Sequence, residues 1–199
     1  MELKKKWSFN QLLKNYLNDR EKRDREIGRY WASEVSYIMQ GKTLPEDFFK
    51  EREPFTPKSC RNIIEGEIRE EALGKLLEAS EVEFEAQPKI VLELNGFQLV
   101  VVADFMFEDR ILECKSPTNM PDKIEYYYKP QLEAQYRAFN KDVYIGFIKE
   151  RFEHKFFKYT PSDELWAEML FKLRNFHEKV LKLSEGNKKS KVDQNKLLF

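Results

Sequence analysis

The sequence predicts a mixed α/β protein: a central mixed β-sheet with an antiparallel meander, flanked by helices and extended by further helices at its N- and C-terminal sides. Two observations predict this class. Short apolar runs separated by turn residues fill the middle of the chain, and longer segments with apolar residues three or four apart surround them. The predicted strands are residues 82–94, 97–107, 110–116, 143–150 and 153–160. The predicted helices are residues 8–39, residues 59–79, one that opens at Pro130, and residues 162–184.

Local signals support the individual elements. Asn95-Gly96 and Glu108-Asp109 are turn residues that separate the first three strands. Pro130 suits the first position of a helix, because its missing N–H would have no partner there. Ser162 is placed to cap the last helix, whose apolar residues keep helical spacing. The order is helices, a three-strand meander, a helix, two strands and a helix, which makes the chain a mixed α/β domain.

We predict one domain over residues 1–184. Its core is expected over about residues 59–160, with a helical N-terminal extension at 8–39 and a C-terminal helix at 162–184. The remaining segment, 185–199, is rich in Lys, Asn and Ser and is predicted to be a flexible tail.

Composition excludes several classes of protein. The chain has 199 residues, with 35 Lys and Arg against 35 Asp and Glu. This balance argues against a uniformly basic nucleic-acid coat but does not exclude a local basic track. Two cysteines cannot supply a disulfide framework, a four-thiolate zinc site or an iron–sulfur cluster. The sequence has neither a membrane-length apolar run nor the apolar stretch of a signal peptide at its start. We expect an intracellular, cytoplasmic protein without a membrane partner.

The segment around the Glu108-Asp109 turn places charged residues in an apolar hairpin. If those two residues form a tight turn, Asp104 lies opposite Glu113 on the neighbouring strand, with Cβ atoms about 5 Å apart. Side chains alternate along a strand, so Lys115 shares the face of Glu113.

Two carboxylates so close together destabilise a sheet unless a cation lies between them. Oxygen ligands without histidine favour a hard ion, so we predict Mg²⁺ or Mn²⁺ at Asp104 and Glu113. The same charges also suit a solvent-exposed strand edge, and a register slip by one residue would reverse the faces.

The helix at 59–79 offers a third acid. Its apolar line runs through Ile63, Gly66, Leu73 and Leu77, and Glu70 falls in the middle of that line. This spacing directs Glu70 toward the packed side. A small rotation of the apolar stripe would instead leave Glu70 in water.

Together these residues fit metal-assisted phosphodiester hydrolysis. An ion held by Asp104 and Glu113 would bind a phosphodiester oxygen and lower the pKa of a water. Lys115 would orient that water or stabilise charge at phosphorus. Glu70 would hold a second ion or orient water on the first.

In this pattern the chain resembles the PD-(D/E)XK nucleases, in the branch of RecB-like and CRISPR-adaptation exonuclease domains, and is also similar to lambda exonuclease. The likeness covers about residues 59–150. Asp104 matches the motif Asp, and Glu113 and Lys115 in 112-LECKSP-117 match Glu-x-Lys. The resemblance implies a restriction-endonuclease-like core, cleavage that leaves 5′-phosphates, and the carbonyl of Cys114 as a further metal ligand.

The chain departs from the family pattern at several positions. Ala103 replaces the motif Pro, and Glu70 stands where the branch has a His four residues after a Gly. The branch signature Gln-x-x-x-Tyr is imperfect, because Tyr136 is one position late. The cysteines that hold an iron–sulfur cluster in the CRISPR-associated relatives are absent, so no cluster is expected.

The resemblance also indicates nucleic-acid contacts near the helix that opens at Pro130. Gln131 and Gln135 are four apart on one helical face, and Gln131 is the better candidate for a contact near the active site. Tyr136 is a further candidate for a nucleic-acid contact, because it is the tyrosine of the imperfect Gln-x-x-x-Tyr signature. Tyr128, in the cluster Tyr126–Tyr128, could stack on unpaired bases or could simply fill a core.

The predicted function is thus a metal-dependent deoxyribonuclease, exonucleolytic or structure-selective, in DNA repair, recombination or replication. The alternatives are a catalytically inactive nucleic-acid-binding module of the same fold and a protein-binding adaptor. DNA with single strands or free ends is the expected partner. The end of the chain, 194-QNKLLF-199, resembles a peptide that docks on a replication sliding clamp, or it packs on its own domain. The oligomeric state is left open.

Overall fold

The computed structural model describes residues 26–50, 56–149, 151 and 153–196, and residues 187–196 by their backbone alone. The chain divides into two compact units. The first comprises residues 1–24 and 51–82, and the second comprises residues 25–50 and 83–199. The division into one domain and a tail stays a prediction.

The second unit begins with a strand that the sequence did not predict. Strand β1 is Arg29–Trp31, and helix α1 is Ala32–Met39. The prediction of continuous helix over 8–39 is wrong at 29–31, and its residues before 26 lie outside the described part. Gly28 has a φ of +88°, which breaks a helix, and β1 pairs in parallel with a strand far away in sequence. A 3₁₀ turn at Pro45–Phe49 follows α1.

Helix α2, Pro57–Ala79, belongs to the first unit. The Thr56 side chain caps it by accepting a hydrogen bond from the Ser59 N–H at 3.1 Å, and Pro57 occupies its first position. The predicted helix at 59–79 is confirmed. Glu70 is half-buried, as are Ile63 and Leu73 on either side of it.

The meander is present but divided. Its strands are β2 (Glu85–Ala86), β3 (Lys89–Leu94), β4 (Phe97–Val102), β5 (Phe105–Met106) and β6 (Arg110–Lys115). The chain breaks the ladder at Gln87-Pro88, where Gln87 has a φ of +54° and Pro88 has no N–H to donate. Two mixed sheets therefore replace the single one predicted: β1-β4-β3 and β2-β5-β6-β7-β8.

The rest of the larger sheet follows a helical crossover. A 3₁₀ turn at Tyr126–Tyr128 leads into helix α3, Lys129–Phe139, and strand β7, Asp142–Ile148, then runs parallel to β6. Strand β8, His154–Lys158, pairs antiparallel with β7. These elements lie where the sequence predicted a helix and two strands, and the mixed α/β fold class is confirmed.

Helix α4, Asp163–Lys196, closes the fold. The Ser162 Oγ accepts a hydrogen bond from the Leu165 N–H at 3.2 Å, as the predicted cap requires. Met169, Leu173 and Val180 on α4 are buried in a core shared with α1 and the β1-β4-β3 sheet. The helix continues past 184, so residues 185–196 are helical backbone where a flexible tail was predicted. The candidate clamp-docking side chains of 194–199 lie outside the described part. Among the described helices, none is long and apolar enough to cross a membrane.

Candidate active site

The hairpin between β5 and β6 has the predicted register. Phe105 pairs with Leu112 and Met106 with Ile111, and the Phe107 N–H donates to the Arg110 carbonyl at 2.8 Å. The two-residue turn at Glu108-Asp109 is thereby confirmed. The ladder ends at Phe105, however, so the predicted direct opposition of Asp104 and Glu113 within the ladder is wrong.

Asp104 lies in the bend between β4 and β5. In a continuing ladder, the Cys114 N–H would donate to the carbonyl of Ala103. Instead it donates to Oδ2 of Asp104 at 2.6 Å, and the Asp104 carbonyl accepts from the Gln87 N–H at 3.0 Å. The half-buried carboxylate of Asp104 is therefore fixed against the strand that carries Glu113.

Glu113 is 2% exposed, and its carboxylate accepts three side-chain hydrogen bonds. Oε1 accepts from the Lys115 ammonium and from Nε2 of Gln131, the latter at 2.6 Å. Oε2 accepts from Nε2 of Gln135 at 2.5 Å. These bonds offset the cost of burying the acid and set the direction in which it points.

Lys115 lies beside both acids, and its side chain is 28% exposed. Burial by itself lowers the pKa of its ammonium, but the negative charges of Glu113 and Asp104 and the hydrogen bond to Glu113 outweigh that effect and raise the pKa. Lys115 is therefore a permanent cation at neutral pH, and its ammonium cannot act there as a general base.

Helix α3 brings both predicted glutamines to Glu113. Gln135 is fully buried, and its Nε2 also donates to the Val102 carbonyl at 2.9 Å. The sequence favoured Gln131 for a contact near the active site, whereas in the structure both Gln131 and Gln135 donate to Glu113. Tyr136 lies on another side of α3, half-buried against the core and beneath the Arg137 guanidinium, 5.6 Å from its ring centre.

Tyr128 connects the site to the aromatic residues before α3. Its ring contacts Phe147, the register partner of Lys115 on β7, with 5.5 Å between ring centres. Tyr37 on α1, which the sequence did not single out, contacts Tyr127. Its partner is 90 residues away, and no local pattern indicates such a pairing. Glu70, in the first unit, stays a predicted member of the site.

The donor atoms suit a hard divalent cation. Asp104 and Glu113 could offer two carboxylates to such an ion, and the carbonyl of Cys114 stays a predicted third ligand. Mg²⁺ typically takes one or two carboxylates, with waters and substrate phosphates completing its shell. Among the described residues, buried Oε1 of Gln135, whose Nε2 donates to Glu113, has no hydrogen-bond partner. The same part of the chain contains no cluster of three or more His, Cys, Asp or Glu side chains arranged to hold a metal.

Comparison by sequence returns no relative: no protein-family model and no curated protein matches the chain. Solved structures do match. An alkaline exonuclease (LHK-Exo) from Laribacter hongkongensis is 15% identical with a TM-score of 0.64, over 84% of this chain and 95% of that one.

Two further structures share the fold. LHK-Exo in complex with dAMP aligns at 14% identity with a TM-score of 0.58, again over 84% of this chain and 95% of that one. The protein SSO0001 aligns at 15% identity with a TM-score of 0.56, over 84% of this chain and 82% of its own. This chain therefore has the fold of an alkaline exonuclease.

Proposed function

We propose that the protein is a metal-dependent deoxyribonuclease of the PD-(D/E)XK type, in the RecB-like branch, that hydrolyses phosphodiester bonds and leaves 5′-phosphates. The observation that carries this proposal is the buried carboxylate of Glu113. Lys115, Gln131 and Gln135 hold it next to Asp104, on the hairpin that the nuclease motif specifies.

Asp104 and Glu113, with the carbonyl of Cys114, are the residues that would hold Mg²⁺ or Mn²⁺. When bound, the cation would lower the pKa of a water and neutralise charge on the phosphodiester. The protein's part is to keep both carboxylates in place before the metal arrives. Asp104 is fixed by a backbone N–H and Glu113 by three side chains, so little reorganisation is needed.

Lys115 stabilises the negative charge that grows on the phosphoryl oxygens as water attacks. Its raised pKa keeps the ammonium charged, and its partly buried position strengthens the interaction relative to bulk water. A residue that is always protonated can also orient the attacking water by donating to it.

Gln131 and Gln135 position Glu113. Both amide groups donate to its two carboxylate oxygens, and Gln135 also ties it to the end of β4 through Val102. Partners of this kind orient metal ligands and tune their affinity. Gln131 is half-buried and keeps its predicted role in contacting nucleic acid as well.

An exonucleolytic or structure-selective mode is part of the proposal. The fold is shared with an alkaline exonuclease, and the complex of that enzyme with dAMP shows that it binds a nucleotide. Fold likeness at this identity supports the reaction class by analogy.

Cleavage of end-labelled single- and double-stranded DNA, with Mg²⁺ or Mn²⁺ and with EDTA, tests the proposal. We expect metal-dependent release of 5′-phosphorylated products. Asp104→Asn and Lys115→Ala should lower the rate by about 10²-fold or more. The first removes a charge that would hold the cation, and the second removes the positive charge that stabilises the reacting phosphate. Glu70→Gln joins the series, since a comparable loss would assign Glu70 to the reaction.

Matched variants on β8 and β3 serve as controls. Lys155→Ala removes a lysine that pairs with exposed Asp122, and Glu93→Gln removes a carboxylate bonded to Gln98. Both should cleave like the unaltered protein. DNA binding without cleavage would replace the proposal with an inactive binding module, and neither binding nor cleavage would replace it with a protein-binding adaptor.

A further inference from the structure

Two partly exposed tyrosines form a small aromatic surface that the proposed chemistry does not use. Tyr37 on α1 is 40% exposed, and its ring lies edge-on to that of Tyr127, with 5.3 Å between ring centres. The Tyr127 hydroxyl donates a hydrogen bond to the Tyr37 hydroxyl. The bond holds the two rings together although they come from distant parts of the sequence. We call Tyr37 and Tyr127 the tyrosine platform.

The tyrosine platform is continuous with the candidate active site. Tyr127 contacts Tyr128 with 5.2 Å between ring centres, and Tyr128 contacts Phe147, whose register partner on β6 is Lys115. The buried end of this ring series therefore lies beside Lys115, and the exposed end lies at the surface. Gln131, which binds Glu113, follows Tyr128 by about one turn of α3.

A core role does not account for the exposed end. Phe147 is fully buried and Tyr128 half-buried, whereas Tyr37 leaves much of its ring in water. Neighbouring Tyr126 turns away, since its hydroxyl donates to Glu168 on α4 at 3.2 Å. A carboxylate there disfavours the phosphate backbone, so the platform is confined to Tyr37 and Tyr127.

We propose that Tyr37 and Tyr127 stack on the unpaired bases of a single-stranded DNA end and deliver that end to Glu113 and Lys115. The proposal rests on the nuclease function above and names its substrate class: DNA with a single-stranded end in preference to blunt duplex. Bases inside a duplex already stack on each other, so only unpaired bases offer their faces to a protein ring. Stacking is tolerant of sequence, as a general exonuclease requires.

The deciding experiment measures DNA binding under conditions that prevent cleavage. Fluorescence anisotropy measures the affinity for a labelled oligo-dT strand and for a blunt duplex, in EDTA and again with Ca²⁺ replacing Mg²⁺. The double variant Tyr37→Ala/Tyr127→Ala should bind the single strand about 10- to 100-fold more weakly and the duplex within about twofold of the unaltered protein. Tyr37→Phe/Tyr127→Phe keeps both rings and should bind the single strand normally.

A matched control removes an exposed ring elsewhere. Phe156 on β8 is 49% exposed, and its side chain points to the opposite face of the sheet from Phe157, which contacts Phe147. Phe156→Ala should leave both affinities unchanged. Thermal unfolding of every variant checks that the chain remains folded.

The outcomes separate this proposal from the nuclease function. If the protein cleaves DNA and Tyr37→Ala/Tyr127→Ala binds the single strand as tightly as the unaltered protein, the platform is overturned and the nuclease function stands. Ring-dependent binding without any cleavage keeps the platform and overturns the nuclease. Equal losses on both DNAs, or no single-strand binding in either buffer, also overturn the platform.

Discussion

Two glutamates, Glu113 on β6 and Glu133 on α3, are alike in burial and in the number of hydrogen bonds that they accept, but we expect different roles for them. Glu113 is 2% exposed and Glu133 is 0% exposed, and each accepts three hydrogen bonds. The donors to Glu133 are Nε of Arg137 at 2.8 Å, the Tyr159 hydroxyl at 2.6 Å and the Ser162 N–H at 2.9 Å. By burial and hydrogen bonding alone, the two sites are equivalent.

The second carboxylate distinguishes them. Arg137 also binds Asp163 at 2.5 Å, and the side chain of Asp163 is 89% exposed, so water solvates that charge. The second acid that interacts electrostatically with Lys115 is Asp104, which is half-buried. Keeping a second carboxylate partly buried costs folding free energy unless a cation compensates its charge, whereas an exposed carboxylate costs little. A buried, fully bonded carboxylate is thus a structural feature by default, and a neighbouring half-buried acid makes it a candidate site.

The largest expected effect is on catalysis at the first of these sites. Glu113→Gln keeps the shape of the side chain but removes the charge that would hold the cation, so the cleavage rate should fall by about 10³-fold or more. Initial rates on labelled DNA measure it. A rate within a few-fold of the unaltered protein would show that Glu113 is as structural as Glu133.

The same substitution at the second site should act on stability. Glu133→Gln weakens the bonds to Arg137, Tyr159 and Ser162, and hydrogen bonds to charged groups contribute about 1.5–3 kcal/mol each, so we expect a loss of about 2–3 kcal/mol in the free energy of unfolding. Urea unfolding measures it. The rate per folded molecule should stay within about threefold, and a loss as large as that of Glu113→Gln would contradict the comparison.

A smaller effect is expected at Gln135 on α3, which donates to Glu113. Gln135→Leu removes a donor to Glu113 without removing charge, so the Mg²⁺ concentration for half-maximal cleavage should rise about 10- to 100-fold. Gln98→Leu, which removes a glutamine bonded to exposed Glu93, is the matched control. An unchanged metal requirement for Gln135→Leu would argue that Glu113 needs no positioning.

The smallest expected effect concerns pH. The folded-state pKa of Lys115 is raised, so its contribution to stability is complete below the unfolded pKa of about 10.4 and is lost only as the pH rises through the higher folded value. The pKa of Tyr159 is raised by burial and by its bond to Glu133, which gives the same direction at the second site. The difference in unfolding free energy between the unaltered protein and Lys115→Met should be constant from about pH 7 to about pH 9.5. A decline inside that window would show that the ammonium loses its proton early.

Much of the hairpin could be predicted from the sequence because its information is local. Alternation and a two-residue turn fix which residues of β5 and β6 pair, and the pairs Phe105–Leu112 and Met106–Ile111 are those expected. Gln131 and Gln135 were also predictable together, since residues four apart share a face of a helix.

The remaining features depend on contacts between distant parts of the chain. Strand β1 forms because Gln98–Val100 offers it a parallel partner, which outweighs the helical spacing of Tyr30 and its neighbours. The bend at Asp104 depends on a side chain that replaces a backbone acceptor. Pro88, inside a predicted strand, was the one local sign of that interruption. Tyr37 gave no sign, because its partner Tyr127 is 90 residues away. Of the three partners of Glu133, only Arg137 is close in sequence, whereas Tyr159 and Ser162 follow strand β8.

The interruption at Gln87-Pro88 fixes the position of Asp104, whereas the Asn95-Gly96 tip can change without moving that acid. The Gln87 N–H binds the Asp104 carbonyl, and the Ala103 N–H binds the Pro88 carbonyl at 3.2 Å, so the position of Asp104 is set there. The exposed Asn95-Gly96 tip at the far end of β3 and β4 has no part in it. A reporter peptide grafted into that tip would leave the acid in place, whereas one inserted beside Pro88 would displace it.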